Sequence, residues 1–292
     1  MEYYILADSD NVEPFTTPRQ LTKINGETLI ERTIRLLKEN GIENIYVTSH
    51  DKRFDNLGAI RYEPKYNTYK PKKNEGYWVE AFPIELLDRP ITFLLGDVYY
   101  SENAIKTIVN TTTNYIMYFC SYKNEDNRYI KHHDEPFAFK VIDYVMFKEH
   151  IQRMKDFKDS GKALREPIAW ELYRSLNNIP ITTHKIGDNC VIINDETCDI
   201  DRVEDVALLE NTITNNNSMI KVKVIINTFT FKDFDKLIGI TRANTYGNEI
   251  GRLYEGDTFK CDKSTAKYLL GENDLKKCVV EVIEILPIKK DQ

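Results

Sequence analysis

The sequence predicts an α/β fold: a mostly parallel sheet with helices on both faces, followed by a small β-rich α+β module of barrel type. Three observations predict it. Short apolar runs alternate with helix-period segments through most of the chain. The polar stretch Thr214-Asn215-Asn216-Asn217-Ser218 then breaks that pattern, and such a composition cannot support a core. After it, Ile220, Val222, Val224 and Ile226 alternate with Lys221, Lys223 and Ile225, which is the period of a strand. The expected organisation is a domain over 1–213, a linker over 214–218 and a module over 219–292.

Each element has its own signal. Residues 3–7 are a short apolar run bounded by polar residues, so a buried strand is expected. Thr28-Leu29-Ile30-Glu31 has the T-x-x-E form of a capping box. Behind it Ile30, Ile34 and Leu37 recur at helical spacing, and Gly41 follows as the stop. Strands are expected over 45–48, 59–62 and 91–95, the last ending in Gly96-Asp97. A helix is expected within 76–87, bent or shortened by Pro83. Further strands are expected over 115–120 and 137–141, and helices over 144–157, 167–176 and 202–210. In the module, Gly256-Asp257 reads as a turn, 264–270 as a helix and 279–286 as a closing strand.

Composition excludes several classes. A chain of 292 residues has room for one large domain or a domain with an appendage. The formal charge of -6 speaks against a protein that coats nucleic acid, although Lys65, Lys70, Lys72 and Lys73 lie close together. Five cysteines (Cys120, Cys190, Cys198, Cys261, Cys278) are odd in number and form no C-x-x-C pair. A reduced, intracellular chain without a disulfide framework or zinc site is therefore expected. The acidic N-terminus lacks a long apolar run, so neither a signal peptide nor a membrane span is expected.

Four stretches carry a family resemblance. Ile5-Leu6-Ala7 ends the first strand. Pro18-Arg19-Gln20-Leu21 runs through Gly26 into the helix start Leu29-Ile30-Glu31. Leu94-Leu95-Gly96-Asp97, followed by Ser101, sets an aspartate at a strand end. Cys198-Asp199-Ile200-Asp201-Arg202-Val203-Glu204-Asp205 has the form D-I-D-x-x-E-D. Tyr62-Glu63-Pro64-Lys65-Tyr66-Asn67 adds a further echo. In this order the N-terminal part resembles the sugar-phosphate and choline-phosphate nucleotidyltransferases of the GT-A-like (NTP-transferase) fold.

That resemblance implies a Rossmann-like GT-A sheet. It also implies transfer of a nucleotidyl group from a nucleoside triphosphate to a phosphorylated small molecule. Two anionic groups meet in such a reaction, so Mg²⁺ and cationic side chains must offset their repulsion. The resemblance implies Asp97, Asp199 and Asp201 as Mg²⁺ ligands. The last two lie two apart, so on an extended segment they face one side. It implies Arg19, in place of the family's lysine, and Lys23 as the catalytic cations. It sets Ala7, Asp8 and Ser9 against the nucleotide, and Tyr66 with Asn67 beside the acceptor.

One departure matters. The family wraps the triphosphate in a glycine-rich loop, where no Cβ obstructs the backbone N–H groups. Residues 8–18 hold no glycine and carry Asp8, Asp10 and Glu13 instead. Two readings stay open. One is a Mg²⁺-dependent transferase with an altered loop. The other is a catalytically inactive transferase-fold protein serving as a bacteriophage structural or assembly protein. Gly256-Asp257-Thr258-Phe259 and Ala266-Lys267-Tyr268-Leu269 resemble a small bacteriophage-encoded module, which favours that second reading. It implies other phage proteins as partners, in the cytoplasm of a bacterial host or in the virion. A GT-A glycosyltransferase using a nucleotide sugar shares the fold and the metal logic.

The site residues also have plain structural uses. Asp97 suits a turn or a helix cap, and Asp201 suits the N-cap of the helix over 202–210. Arg19 suits an ion pair with a surface acid. His132-His133-Asp134-Glu135 looks like a metal cluster but reads more simply as a solvated loop. Trp78 and Trp170 read as core or pocket lining.

Overall fold

The computed structural model describes residues 1–7, 15–66, 69–70, 73, 75–122, 134–183, 185–216, 218–224, 229–230, 252–253, 258–261 and 280–287. The chain divides into two compact units, Met1–Leu209 and Glu210–Gln292.

The first unit begins with β1 (Glu2–Leu6), the hairpin β2 (Lys23–Ile24) and β3 (Glu27–Thr28), and α1 (Leu29–Glu39). Then come β4 (Ile45–Thr48), β5 (Ile60–Tyr62), β6 (Ile91–Leu95), β7 (Val98–Tyr99) and α2 (Glu102–Asn110). After these the chain forms β8 (Ile116–Ser121), β9 (Glu135–Val141), α3 (Tyr144–Asp159), α4 (Ala169–Leu176), β10 (Cys190–Ile192), β11 (Cys198–Asp199) and α5 (Val203–Asn216). In the second unit the described strands are β12 (Ser218–Val224), β13 (Phe229–Thr230), β14 (Arg252–Leu253), β15 (Thr258–Cys261) and β16 (Val280–Pro287).

Seven strands form the central sheet in the order β10-β8-β9-β6-β1-β4-β5. β9 runs antiparallel to both neighbours, and every other pairing is parallel. The result is the predicted α/β class, Rossmann-like, with helices on both faces. The start of β9 therefore shares an edge with the ends of β1, β4, β5, β6, β8 and β10. On one face Ile30, Ile34 and Leu37 of α1 and Ala104, Ile105 and Ile108 of α2 pack over Ile5, Val47 and Leu94. On the other, Phe147 and Ile151 of α3 and Trp170 and Tyr173 of α4 pack over Phe93, Tyr118 and Phe139. Both tryptophans join this second, aromatic cluster, Trp78 at its margin.

Local chemistry accounts for the element ends. Thr28 Oγ1 accepts the Glu31 N–H at 3.2 Å, and Glu31 Oε2 accepts the Thr28 N–H at 3.1 Å, so the predicted capping box is formed. Gly41 follows α1 at φ 80°, the left-handed stop that glycine allows. The helix expected within 76–87 is instead two short 3₁₀ turns, Trp78–Ala81 and Ile84–Leu86, on either side of Pro83. Proline at that point removes a donor and crowds the preceding turn, so no α-helix propagates through it. α2, which the sequence reading omits, starts at Ser101, whose Oγ accepts the Ala104 N–H at 2.9 Å.

A bulge in β9 has consequences for the site. Phe119 pairs with Ala138, but Cys120 pairs with Pro136, so Phe137 is an extra residue. Phe137 and Ala138, although consecutive, both face the first cluster, while Phe139 and Val141 face the second. The bulge reverses the phase of the strand, and Glu135 follows Phe137.

Where the sequence reading sets a linker over 214–218, α5 continues to Asn216 and β12 begins at Ser218. The Thr/Asn run is absorbed into the last turns of a helix already nucleated upstream. β15, β12 and β16 form a three-stranded antiparallel sheet. The turn expected at Gly256-Asp257 and the helix expected over 264–270 lie outside the described residues. Among the described residues no helix is long and apolar enough to cross a membrane.

Candidate active site at the carboxyl edge of the sheet

The site gathers where β6 ends. Gly96 donates its N–H to Leu6 O at 3.0 Å, tying the end of β6 to the end of β1. A Cβ at position 96 would stand 2.4 Å from that same oxygen, so only glycine fits. The next residue is Asp97. β7 turns back from it and pairs antiparallel with β11, setting Asp199 opposite Val98.

Three consecutive amides then fix the path of 199–201. The Asp199 N–H donates to Glu135 Oε2 at 3.1 Å. The Ile200 N–H donates to Asp97 O at 3.0 Å. The Asp201 N–H donates to Asp205 Oδ2 at 3.0 Å, which also accepts the Arg202 N–H at 2.7 Å. Asp205, in the first turn of α5, thus reaches back to the two amides that precede the helix. Upstream, Ser101 Oγ donates to Asp195 Oδ2 at 2.6 Å, and the Ser101 N–H donates to Thr197 Oγ1 at 3.0 Å.

Arg19 enters from the 3₁₀ turn Arg19–Leu21, which follows Pro18. Its Nη2 lies 2.9 Å from Asp97 Oδ2, and its Nη1 pairs with Asp201 Oδ1. Nη1 also approaches Ile200 O at 3.4 Å. One guanidinium thus links two of the three predicted aspartates. Asp97 above all holds it protonated, with Asp199 and Asp201 adding to the effect.

Asp199 is in a different state. The residue is half-buried with its Oδ1 closed off from solvent, and burial pushes its carboxyl well above the ordinary value of 3.8, with the charges of Asp97 and Asp201 pushing the same way. Asp199 Oδ1 and Arg19 Nε are both buried without a hydrogen-bond partner. Two orphaned polar atoms of opposite sign at one place are what a polar ligand would satisfy. Tyr100 closes the floor, its hydroxyl donating to Phe137 O at 2.6 Å.

The predicted residues are distributed as follows. Arg19, Asp97, Asp199 and Asp201 come together. Lys23 lies on the β2–β3 hairpin with its side chain exposed, and among the described residues it makes no ion pair. Ala7 is buried at the end of β1 and donates its N–H to Thr48 O at 3.0 Å. Asp8, Ser9, His132, His133 and Asn67 lie outside the described residues. Tyr66 is exposed. Glu135, which the sequence reading takes for a loop acid, is 2% exposed and belongs to the site. The signal that could have found it is its position, at the end of a polar run and one proline before the apolar stretch of a strand.

Carboxylate oxygens are the donors a hard divalent cation takes, and the orphaned Asp199 Oδ1 fits that chemistry. The carboxylates are arranged around Arg19, however, and among the described residues no three acidic, histidine or cysteine side chains stand in metal-holding geometry. Asp97 and Asp201 accept a metal only if Arg19 turns away from them.

No family model matches the sequence, and no curated protein matches it. Among solved structures, the chain is similar to a protein assigned as a glucose-1-phosphate thymidylyltransferase from Bacillus anthracis. That match has a TM-score of 0.49 and 12% identity, over 73% of this chain and 94% of that one. It is similar to the CTP:phosphocholine cytidylyltransferase of Streptococcus pneumoniae, with a TM-score of 0.44 and 16% identity over 73% and 98% of the two chains. It is also similar to the 2-C-methyl-D-erythritol 4-phosphate cytidylyltransferase of Thermus thermophilus, with a TM-score of 0.45 and 11% identity over 72% and 97%.

Proposed function

We propose that the first unit is a nucleotidyltransferase that joins a nucleoside triphosphate to a phosphorylated small molecule with the help of Mg²⁺. The observation that carries this reading is the grouping of Asp97, Asp199 and Asp201 around Arg19 at the carboxyl edge of a parallel sheet. Ligands of open α/β sheets bind at that edge. The acids supply the oxygen donors that Mg²⁺ requires, with Asp97 and the Asp199–Asp201 pair holding it. When bound, the metal would offset the charge of two phosphate groups brought together.

The chain's own residues do the rest. Arg19, released from Asp97 and Asp201, presents a planar fork of donors that suits a phosphate. Its orphaned Nε then gains an acceptor. Lys23, exposed on its hairpin, is a second cation for the phosphate tail. The pinned backbone of 199–201 holds the carboxylates still while the arginine moves. Carboxylates and guanidinium thus exchange partners: each satisfies the other at rest, and each meets an opposite charge from the substrates during turnover.

Titration calorimetry with the four nucleoside triphosphates, with and without Mg²⁺, tests the reading. One of them should bind in a Mg²⁺-dependent manner, and Asp97→Ala should weaken that binding by about 100-fold or more, since loss of a partner behind a metal ligand already costs about 10–100-fold. Binding of none of the four would overturn it.

A further inference from the structure

We propose that Glu135 is the positioning residue of this site: it accepts the Asp199 N–H and thereby sets the direction in which the Asp199 carboxylate faces. The inference rests on the nucleotidyltransferase reading. It starts from the backbone. Of the three amides that fix 199–201, one goes to a backbone carbonyl of the adjoining turn and one to the cap of the following helix. The first of these partners, Asp97 O, follows the end of β6, and the second, Asp205, stands in the first turn of α5. The third goes to a side chain 64 residues away, on a different strand of the main sheet.

That contact is built at some cost. β9 carries an extra residue at Phe137, and the strand changes phase there. Without the bulge, Glu135 would follow Phe139 and Val141 toward the aromatic cluster beneath α3 and α4. With it, Glu135 reaches β11 instead. Bulges beside sites commonly re-aim a side chain in this way. The carboxylate is 2% exposed and adds a further negative group to a place that already holds three. A buried acid in that position opposes folding unless its hydrogen bonds are worth keeping. A charge-assisted N–H···O⁻ bond is the stronger kind and the more directional. β9 enters the sheet from this edge, and its first residue meets the β11 backbone there. Glu135 therefore does not touch substrate or metal but fixes a group that does.

The test uses the full chain and Mn²⁺ as the probe, read by the paramagnetic signal of the free ion, alongside thermal unfolding. Glu135→Met removes the acceptor and keeps the volume, and Glu135→Ala removes both. Glu135→Gln keeps a carbonyl oxygen to accept the amide. The expected result is Mn²⁺ affinity lowered about 10-fold or more in the methionine and alanine variants, the scale on which partners behind a metal ligand act. The glutamine variant should restore affinity to within about threefold of wild type, since its side-chain carbonyl is the same kind of acceptor. Unchanged affinity in folded Glu135→Met, or a glutamine variant as weak as the methionine one, overturns the proposal. If neither acceptor-less variant folds, the glutamine variant decides by the same threefold and tenfold limits. A wild-type chain that binds no Mn²⁺ overturns the nucleotidyltransferase reading itself and this inference with it.

Discussion

Two arginines of the first unit, Arg174 buried and Arg19 half-buried, are built differently. Arg174 lies on α4, where its Nη1 approaches Glu171 Oε1 at 3.4 Å and Ile181 O at 3.2 Å. Arg165 donates to the same Glu171 oxygen at 2.9 Å, and the other Glu171 oxygen accepts the Ile168 N–H at 3.0 Å. These partners fall between residues 165 and 181. Arg19 draws its partners from residues 97, 200 and 201, and there the acids outnumber the cation. A short-range cluster of this kind ties a helix to its own flanking loops. A long-range cluster with several acids around one arginine is the arrangement that the proposed metal and phosphates would complement.

The sharpest way to break this comparison is to damage each cluster and ask which property fails. Glu171→Gln removes the carboxylate charge beside buried Arg174. It should cost about 3–5 kcal/mol, as breaking a buried pair from one side does. For a domain of this size that lowers the unfolding midpoint by about 10 °C. Mg²⁺-dependent nucleotide affinity in the folded variant should stay the same. A variant as stable as wild type would show that the Glu171 cluster is not the structural one.

Asp199→Asn should act the opposite way. It removes one of the repelling acids and should stabilise the metal-free chain by about 1–2 kcal/mol, the difference between burying an unpartnered charge and burying an unpartnered amide. The same variant should lose Mg²⁺-dependent binding. A pH signature accompanies it. The Asp199 carboxyl is raised above 3.8, so above that pH the folded chain holds a proton the unfolded chain has released. Metal-free stability contributed by this group therefore falls as pH rises above 3.8 and through the raised value. Denaturant titrations across that range should show the decline in wild type and its absence in Asp199→Asn. Equal slopes in the two would remove Asp199 from the buried acids of the site.

The smallest effect belongs to a residue of neither cluster. Thr28→Ala opens the capping box at the start of α1 and should cost about 1 kcal/mol. Nucleotide affinity should not change, and a loss there would mean that α1 carries the Arg19 turn with it.

The fold was legible wherever one signal sufficed. The capping box at Thr28 and the apolar runs at β1, β4 and β6 depend on neighbours a few residues away, and sequence periodicity reports these directly. Two-residue strands such as β7 and β11 carry no period at all; only their pairing defines them. Asp97, Asp199, Asp201 and Arg19 were recognisable because the D-I-D stretch, the strand-end aspartate and the Pro18-Arg19 turn follow one another in a known order. Glu135 was not, because its place depends on a bulge that shifts a strand by one residue. Pro83 shows the same limit in reverse: its presence predicted a weakened helix, but only the packing of the aromatic face decided that two 3₁₀ turns would stand there instead.

Gly96 gives the site a property that its acids alone would not have. The distance from Leu6 O that excludes a Cβ also locks the two central strands end to end. The position of Asp97 is therefore a backbone quantity, inherited from the sheet and insensitive to the side chains around it. Neighbouring residues can be exchanged while the first carboxylate keeps its place. The same contact sets the boundary of that freedom, because a single methyl group at position 96 would move the carboxylate and the end of β1 together.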